Sequence, residues 1–150
     1  MSRVWIRNDE RLTDNELLGY LEQYTGKIYV GGDSQHFQRG CKHVQVLACK
    51  MYPGVTYWYS EEYVDMQYDN PDRRIQKEIF DTIKLAEKFQ QKLPHREFEV
   101  HFDVNPNEGN LSNKFASMAT SVAQGYGWSV ALKPQSFAAS GAADWHSKRY

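Results

Sequence analysis

Apolar positions along the chain fall into stretches of two different periods. Ile28, Tyr29 and Val30 form a short β-branched and aromatic run that predicts a central strand, followed by Gly31-Gly32 and then Asp33-Ser34-Gln35. Val44, Val46 and Ala48 alternate with Gln45 and Leu47, which predicts a second strand to about Met51. Pro53-Gly54 is turn chemistry, and Val55 to Tyr63 predicts a third strand, antiparallel to the second. Phe98, Val100 and Phe102 alternate with Glu99 and His101 in a fourth strand ending in Asp103, and Ser129 to Leu132 gives a short fifth. Helical spacing joins Ile75, Ile79, Ile83, Ala86 and Phe89 in a long helix from Pro71 or Asp72 to about Leu93, closed by Pro94.

Ser112 to Gln124 predicts a second helix and Ala138 to Lys148 a last one, whose small residues suit close packing on a sheet. Upstream, Val4 to Ile6 predicts an edge strand. Thr13 and Glu16 form a capping box for a helix carrying Leu17, Leu18 and Leu21 and stopping near Gly26. His36 to Gly40 reads as a polar turn, and Glu61 to Asp72 as an acidic loop. A meander followed by crossover units predicts an α/β fold: a mixed five-stranded sheet flanked by helices in residues 27–150, with residues 1–26 as an appendage packed on it.

Composition narrows the classes. A chain of 150 residues, 41% hydrophobic and 14% aromatic, supports one cored domain and not a disordered one. No apolar run is long enough to span a bilayer, and Met-Ser-Arg-Val-Trp-Ile-Arg lacks the apolar segment of a signal peptide. The expectation is a cytoplasmic protein with no membrane partner. Cys41 and Cys49 fall on one face of one strand, too far apart to bridge, as core thiols of a reducing compartment. Formal net charge is -1, but residues 111–150 carry Lys114, Lys133, Lys148 and Arg149 against Asp144 alone. That excess is compatible with a modest phosphate-binding face.

Four acids stand out by position. Asp33 and Asp103 are placed at strand ends, where open α/β sheets bind their ligands. Glu78 precedes Ile79 on the long helix and can turn toward the sheet. Asp144 lies in the last helix. Each has a plainer explanation: a turn former, a surface partner of Arg74, a loop cap, and a helix-start acid. Taken together they form an all-oxygen donor set, which repels itself without a cation and suits Mg²⁺ or Mn²⁺. Two such ions about 4 Å apart activate water and stabilise the leaving oxygen of a phosphodiester.

The order of elements and acids resembles the RNase H-like superfamily. The segments Ile28 to Gln35, Arg74 with Glu78, Val100 to Asn105, Gly125 to Trp128, Lys133-Pro134 and Ala138 to Asp144 are similar to those of the YkuK family of predicted RNase H-related nucleases. The likeness covers nearly all of residues 27–148; it departs at Gly32, where Thr is usual. It implies a divalent-metal nuclease fold, an endonuclease-type hydrolase using two Mg²⁺ or Mn²⁺ ions. Asp33, Glu78, Asp103 and Asp144 are then both catalytic residues and metal ligands, and the partner is RNA, DNA or an RNA/DNA hybrid.

Around these acids, Ser34, Gln35, Asn105 and Ser112 are expected to meet phosphate oxygens or water, and Lys133 a phosphate. His146 is the histidine best placed to act, although an i, i+2 relation to Asp144 does not put the two on one helix face. Tyr57-Trp58-Tyr59 alternates faces, with core filling expected for most of it. The rival reading is a catalytically silent nucleic-acid-binding or protein-interaction module on the same fold. A sugar-kinase or actin-like phosphate site would need two such domains, which 150 residues do not hold.

Overall fold

In a computed structural model the chain is described for residues 3–37, 40–51, 54–65, 70–104, 113–133 and 135–148; the side chains of Phe37, Met51, Pro71, Asn113, Ala139, Ser140 and Asp144 are also set aside. The elements run β1 (Trp5–Arg7), β2 (Glu10–Leu12), α1 (Asp14–Glu22), β3 (Ile28–Phe37), β4 (Gly40–Met51), β5 (Gly54–Val64), α2 (Pro71–Lys92), β6 (Phe98–His101), α3 (Asn113–Gly125), β7 (Ser129–Ala131), a π-helical segment (Phe137–Ala143) and α4 (Asp144–Ser147).

The mixed sheet has the predicted character but seven strands instead of five, in the order β2-β1-β5-β4-β3-β6-β7. The two additional strands come from the first 26 residues. Asn8 and Asp9 both take positive φ, 49° and 67°, the geometry of a tight primed turn that Asn and Asp tolerate. The resulting β1–β2 hairpin joins the sheet where Ile6 pairs with Tyr59 of β5. α1 has the predicted capping box, with Thr13 and Glu16 each reaching the other's backbone N–H, and buries Leu17 and Leu21.

Two corrections concern strand length. β3 does not stop at the glycines; it pairs with β4 from Ile28–Cys49 to Phe37–Gly40, so Gly31, Gly32 and Asp33 lie inside a ten-residue strand. Likewise Glu61 to Val64 continue β5 and are not loop. In both cases a neighbouring strand supplies ladder partners that override local turn propensity. β6 in turn ends at His101, so Asp103 lies two residues beyond it. The last helix starts as π-helix over Phe137–Ala143, with Gly141, a poor α-helix former, inside that stretch.

Strand alternation sorts the interior into two layers. Ile28, Val30, Leu47, Cys49, Trp58, Phe98, Val100 and Phe102 face α1, α2 and α3 and form the larger core. Tyr29, Val44, Val46 and Ala48 face the π-helical segment, whose Ala138 and Ala143 are fully buried. Small residues there do allow close packing on the sheet. Cys41 and Cys49 are buried free thiols on the same face of β4.

Candidate active site

Asp33 is buried, at 4% exposure, on the face covered by the π-helical segment and α4. Ser147 of α4 donates its hydroxyl to Asp33 Oδ2 at 3.2 Å. β6 runs parallel to β3 with His101 beside Gly31, and two residues further on Asp103 reaches the level of Asp33. Beyond β6 the chain stays alongside the β7 strand, with Phe102 N–H donating to Ala131 O and Lys133 N–H to Val104 O. His101 faces the same layer as Asp33, and Asp103 follows it two residues past the end of β6, between the core residues Phe102 and Val104.

Glu78 approaches from the opposite layer. Thr82 lies beside Gly32 and Glu78 beside Ser34, so α2 runs along β3 with a four-residue step. Ser34 donates its hydroxyl to Glu78 Oε1. Burial, and next to it the negative charge of Asp103, push the Glu78 carboxyl up to about 8, against the opposing pull of the Ser34 bond and Arg74.

This has a measurable consequence. A carboxyl whose folded pKa lies above its unfolded value of about 4.5 favours folding less as pH rises between the two. Each pH unit in that window removes about 1.4 kcal/mol at most. His43, buried and near Lys77, is held down at about 4 and costs stability below its ordinary value of 6.5. The two effects oppose between pH 4.5 and 6.5, leaving Glu78 to act alone above. Glu78→Gln is therefore expected to flatten the fall in melting temperature between pH 6.5 and 8; an unchanged pH profile would contradict the placement of its charge.

The carboxyl-terminal segment is fixed by groups that sequence reading did not single out. His101 is fully buried; its Nδ1 accepts from the Ala138 N–H at 3.1 Å and its Nε2 lies 2.6 Å from Glu99 Oε2. Its ring meets Tyr29 and Phe137 edge-on. Lys42, 1% exposed, donates its ammonium to the His146 carbonyl at 2.8 Å and lies 3.8 Å from Glu61. Lys42→Met is expected to cost about 1–3 kcal/mol, since it leaves that carbonyl without its charged donor. A melting curve unchanged by the substitution would show that α4 is held elsewhere.

The remaining predicted site residues divide. Lys133 pairs with Asp103 Oδ1 at 3.1 Å and is half exposed, so the pair is weak enough to open to a phosphate. Ser34 holds Glu78 and points to the layer opposite Asp33. Gln35, half-buried, falls by alternation on the Asp33 face. The His146 ring stacks on Tyr59 at 3.7 Å and its Nε2 lies 2.9 Å from the Tyr57 hydroxyl. Asn105 and Ser112 lie outside the described residues, as does the Asp144 side chain. The backbone of Asp144 opens α4 one turn before Ser147, a residue the sequence reading did not single out although its i, i+3 relation to Asp144 could have found it. Among the described residues, no three His, Cys, Asp or Glu side chains stand close enough together to hold a metal ion.

Residues 15–148 match the family model described as Ribonuclease H-like. The chain belongs to the ribonuclease H-like family. The match takes in β3, α2, the stretch just beyond β6 and α4, where Asp33, Glu78, Asp103 and Asp144 stand in this ribonuclease H-like chain. No curated protein matches it. Among the described residues, no helix is long and apolar enough to cross a membrane.

Proposed function

We propose that this ribonuclease H-like chain is a divalent-metal phosphodiesterase acting on nucleic acid, with residues 27–150 as its catalytic fold and 1–26 as an appendage. The observation that carries the reading is a buried Glu78 carboxyl within electrostatic reach of Asp103 in a ribonuclease H-like chain, pushed up to about 8 first by burial and then by that neighbouring charge. In support, β3 and β6 run parallel with Gly31 beside His101, Asp33 and Asp103 each follow two residues later, and Asp144 opens the helix whose Ser147 bonds Asp33. The donors are all hard oxygens, the chemistry that suits Mg²⁺ or Mn²⁺.

Asp33, Glu78, Asp103 and Asp144 are the residues that would hold the cations. Bound there, they supply activation of water and neutralisation of charge on the phosphodiester. The protein's own part is positional. Ser147 and Ser34 fix Asp33 and Glu78 by hydrogen bonds, Lys42 pins the backbone of α4, and Lys133 can leave Asp103 for a phosphate oxygen. Glu78 must lose its proton for the full charge to develop, so activity is expected to rise with pH through the neutral range.

The direct test is a substrate panel of single strands, double-stranded RNA, RNA/DNA hybrid and a four-way junction, incubated with Mg²⁺, Mn²⁺ or chelator. Cleavage restricted to the metal arms supports the nuclease. A second reading, a binding module without turnover, draws on the absence among the described residues of a ready-made three-ligand group; it predicts salt-sensitive binding and intact substrate in every arm.

A further inference from the structure

The amino-terminal hairpin does more than lengthen the sheet. Between it and β5 lies a half-enclosed notch of about 430 Å³, within the range of small-ligand sites. Val4 and Ile6 of the hairpin give it an apolar lining, Tyr59 and Tyr63 add aromatic rings, and Asp9, Arg11 and Glu61 supply charge. The register ladder locates it relative to the acids. Asp33 pairs with Val44 and Val44 with Glu61, so the three side chains share one face and Glu61 stands two strand spacings, about 10 Å, from Asp33. Tyr59 and Tyr63 alternate with Glu61 on that face, and Ile6 pairs with Tyr59.

We propose that this notch is a nucleobase subsite, and that its ligand is an unpaired guanine of a single-stranded nucleic acid whose backbone crosses the acidic site. The proposal rests on the phosphodiesterase reading for its substrate and names the class of strand. The argument is chemical. A guanine edge offers two adjacent N–H donors to a carboxylate and two acceptors, O6 and N7, to a guanidinium. Glu61 and Arg11 are that pair of groups. Adenine and cytosine each put a ring acceptor beside the amino group, which a carboxylate opposes. Tyrosine rings supply the stacking surface, worth about 1–3 kcal/mol per base.

Glu61 is already oriented: the Tyr63 hydroxyl donates to its Oε2 at 3.3 Å, and the buried Lys42 ammonium lies 3.8 Å from its Oε1. Tyr59 is backed by the stacked His146 ring, so a base on Tyr59 would rest on a platform built by α4, the same helix that holds Asp33 through Ser147. A base seated in a half-enclosed notch cannot stay paired, hence the single strand.

The test uses the full chain in chelator, with fluorescently labelled uridine octamers carrying one central guanine, adenine or cytosine, and binding read by anisotropy. The expected result is at least about tenfold tighter binding of the guanine octamer, a margin of about 1.4 kcal/mol. Glu61→Gln and Arg11→Met, both at exposed positions, should each reduce that preference to within about twofold while leaving the all-uridine octamer's affinity little changed. Equal affinity for all octamers, no binding, or a guanine preference untouched by both substitutions would each overturn the subsite. Metal-dependent cleavage without guanine preference would remove the subsite and keep the nuclease. A guanine preference dependent on Glu61 without cleavage would do the reverse.

Discussion

Asp33→Asn is expected to lower metal-dependent cleavage by about a thousandfold or more while leaving the fold intact. The size follows from removing a charged ligand from a site that depends on several kcal/mol of charge stabilisation. Preservation of the fold follows from the surroundings of the residue. Asp33 is buried, and among its partners the Ser147 hydroxyl donates to Oδ2. Asparagine has the same volume and keeps an oxygen to accept that bond. It also removes a negative charge from the neighbourhood of Asp103, which relieves repulsion in the metal-free protein. Circular dichroism and melting temperature should therefore match or exceed the parent. A variant that cleaves normally would remove Asp33 from the site; one that fails to fold would show that its charge is structural.

Gly40→Ala is expected to be among the most destabilising single-methyl changes in the chain, costing more than about 3 kcal/mol. Gly40 heads β4, and a Cβ there would come within 1.9 Å of the Val64 carbonyl oxygen and 3.2 Å of the Asp65 Cα. Both obstacles are backbone, so no rotamer change removes the clash. The end of β5 must move away, and with it the Cys41–Val64 and Lys42–Tyr63 pairs. For a chain of this size the melting temperature should fall by about 6–12 °C. Activity should fall as well, because this end of β5 leads into α2, which carries Glu78. A shift below about 1 °C would mean that β4 and β5 separate more easily than their continuous ladder implies.

Residue pattern alone reached most of the core: the five central strands, the capped α1, the stripe of α2 and its end near Leu93 all stand where periodicity puts them. It failed where an element's limit is set by its partner. Gly31-Gly32-Asp33 has turn chemistry, yet β4 pairs with every residue of β3 through Phe37. The edge strand expected at Val4 to Ile6 is present as β1, but its partner β2 and the Asn8-Asp9 turn were missed because three residues are too few to show a period. Of the candidate site, the setting of Glu78 on α2 was legible from helix spacing, whereas Asp33 and Asp103, expected at strand ends, stand inside β3 and two residues past β6. The bond of Ser34 to Glu78 and the stacking of His146 on Tyr59 were not legible, because both partners are remote in sequence. Lys42 was hidden in an alternating strand, where nothing local distinguishes a buried ammonium from a solvated one.

The central claim is that Asp33, Glu78, Asp103 and Asp144 form one divalent-cation site, and the most direct measurement is a calorimetric titration of Mn²⁺ into the parent, Asp33→Asn and Asp103→Asn at pH 8. The parent should bind with release of a proton from Glu78 and gain thermal stability, and each variant should lose at least about tenfold in affinity. Binding of equal strength in all three proteins, or none in the parent, would contradict the account.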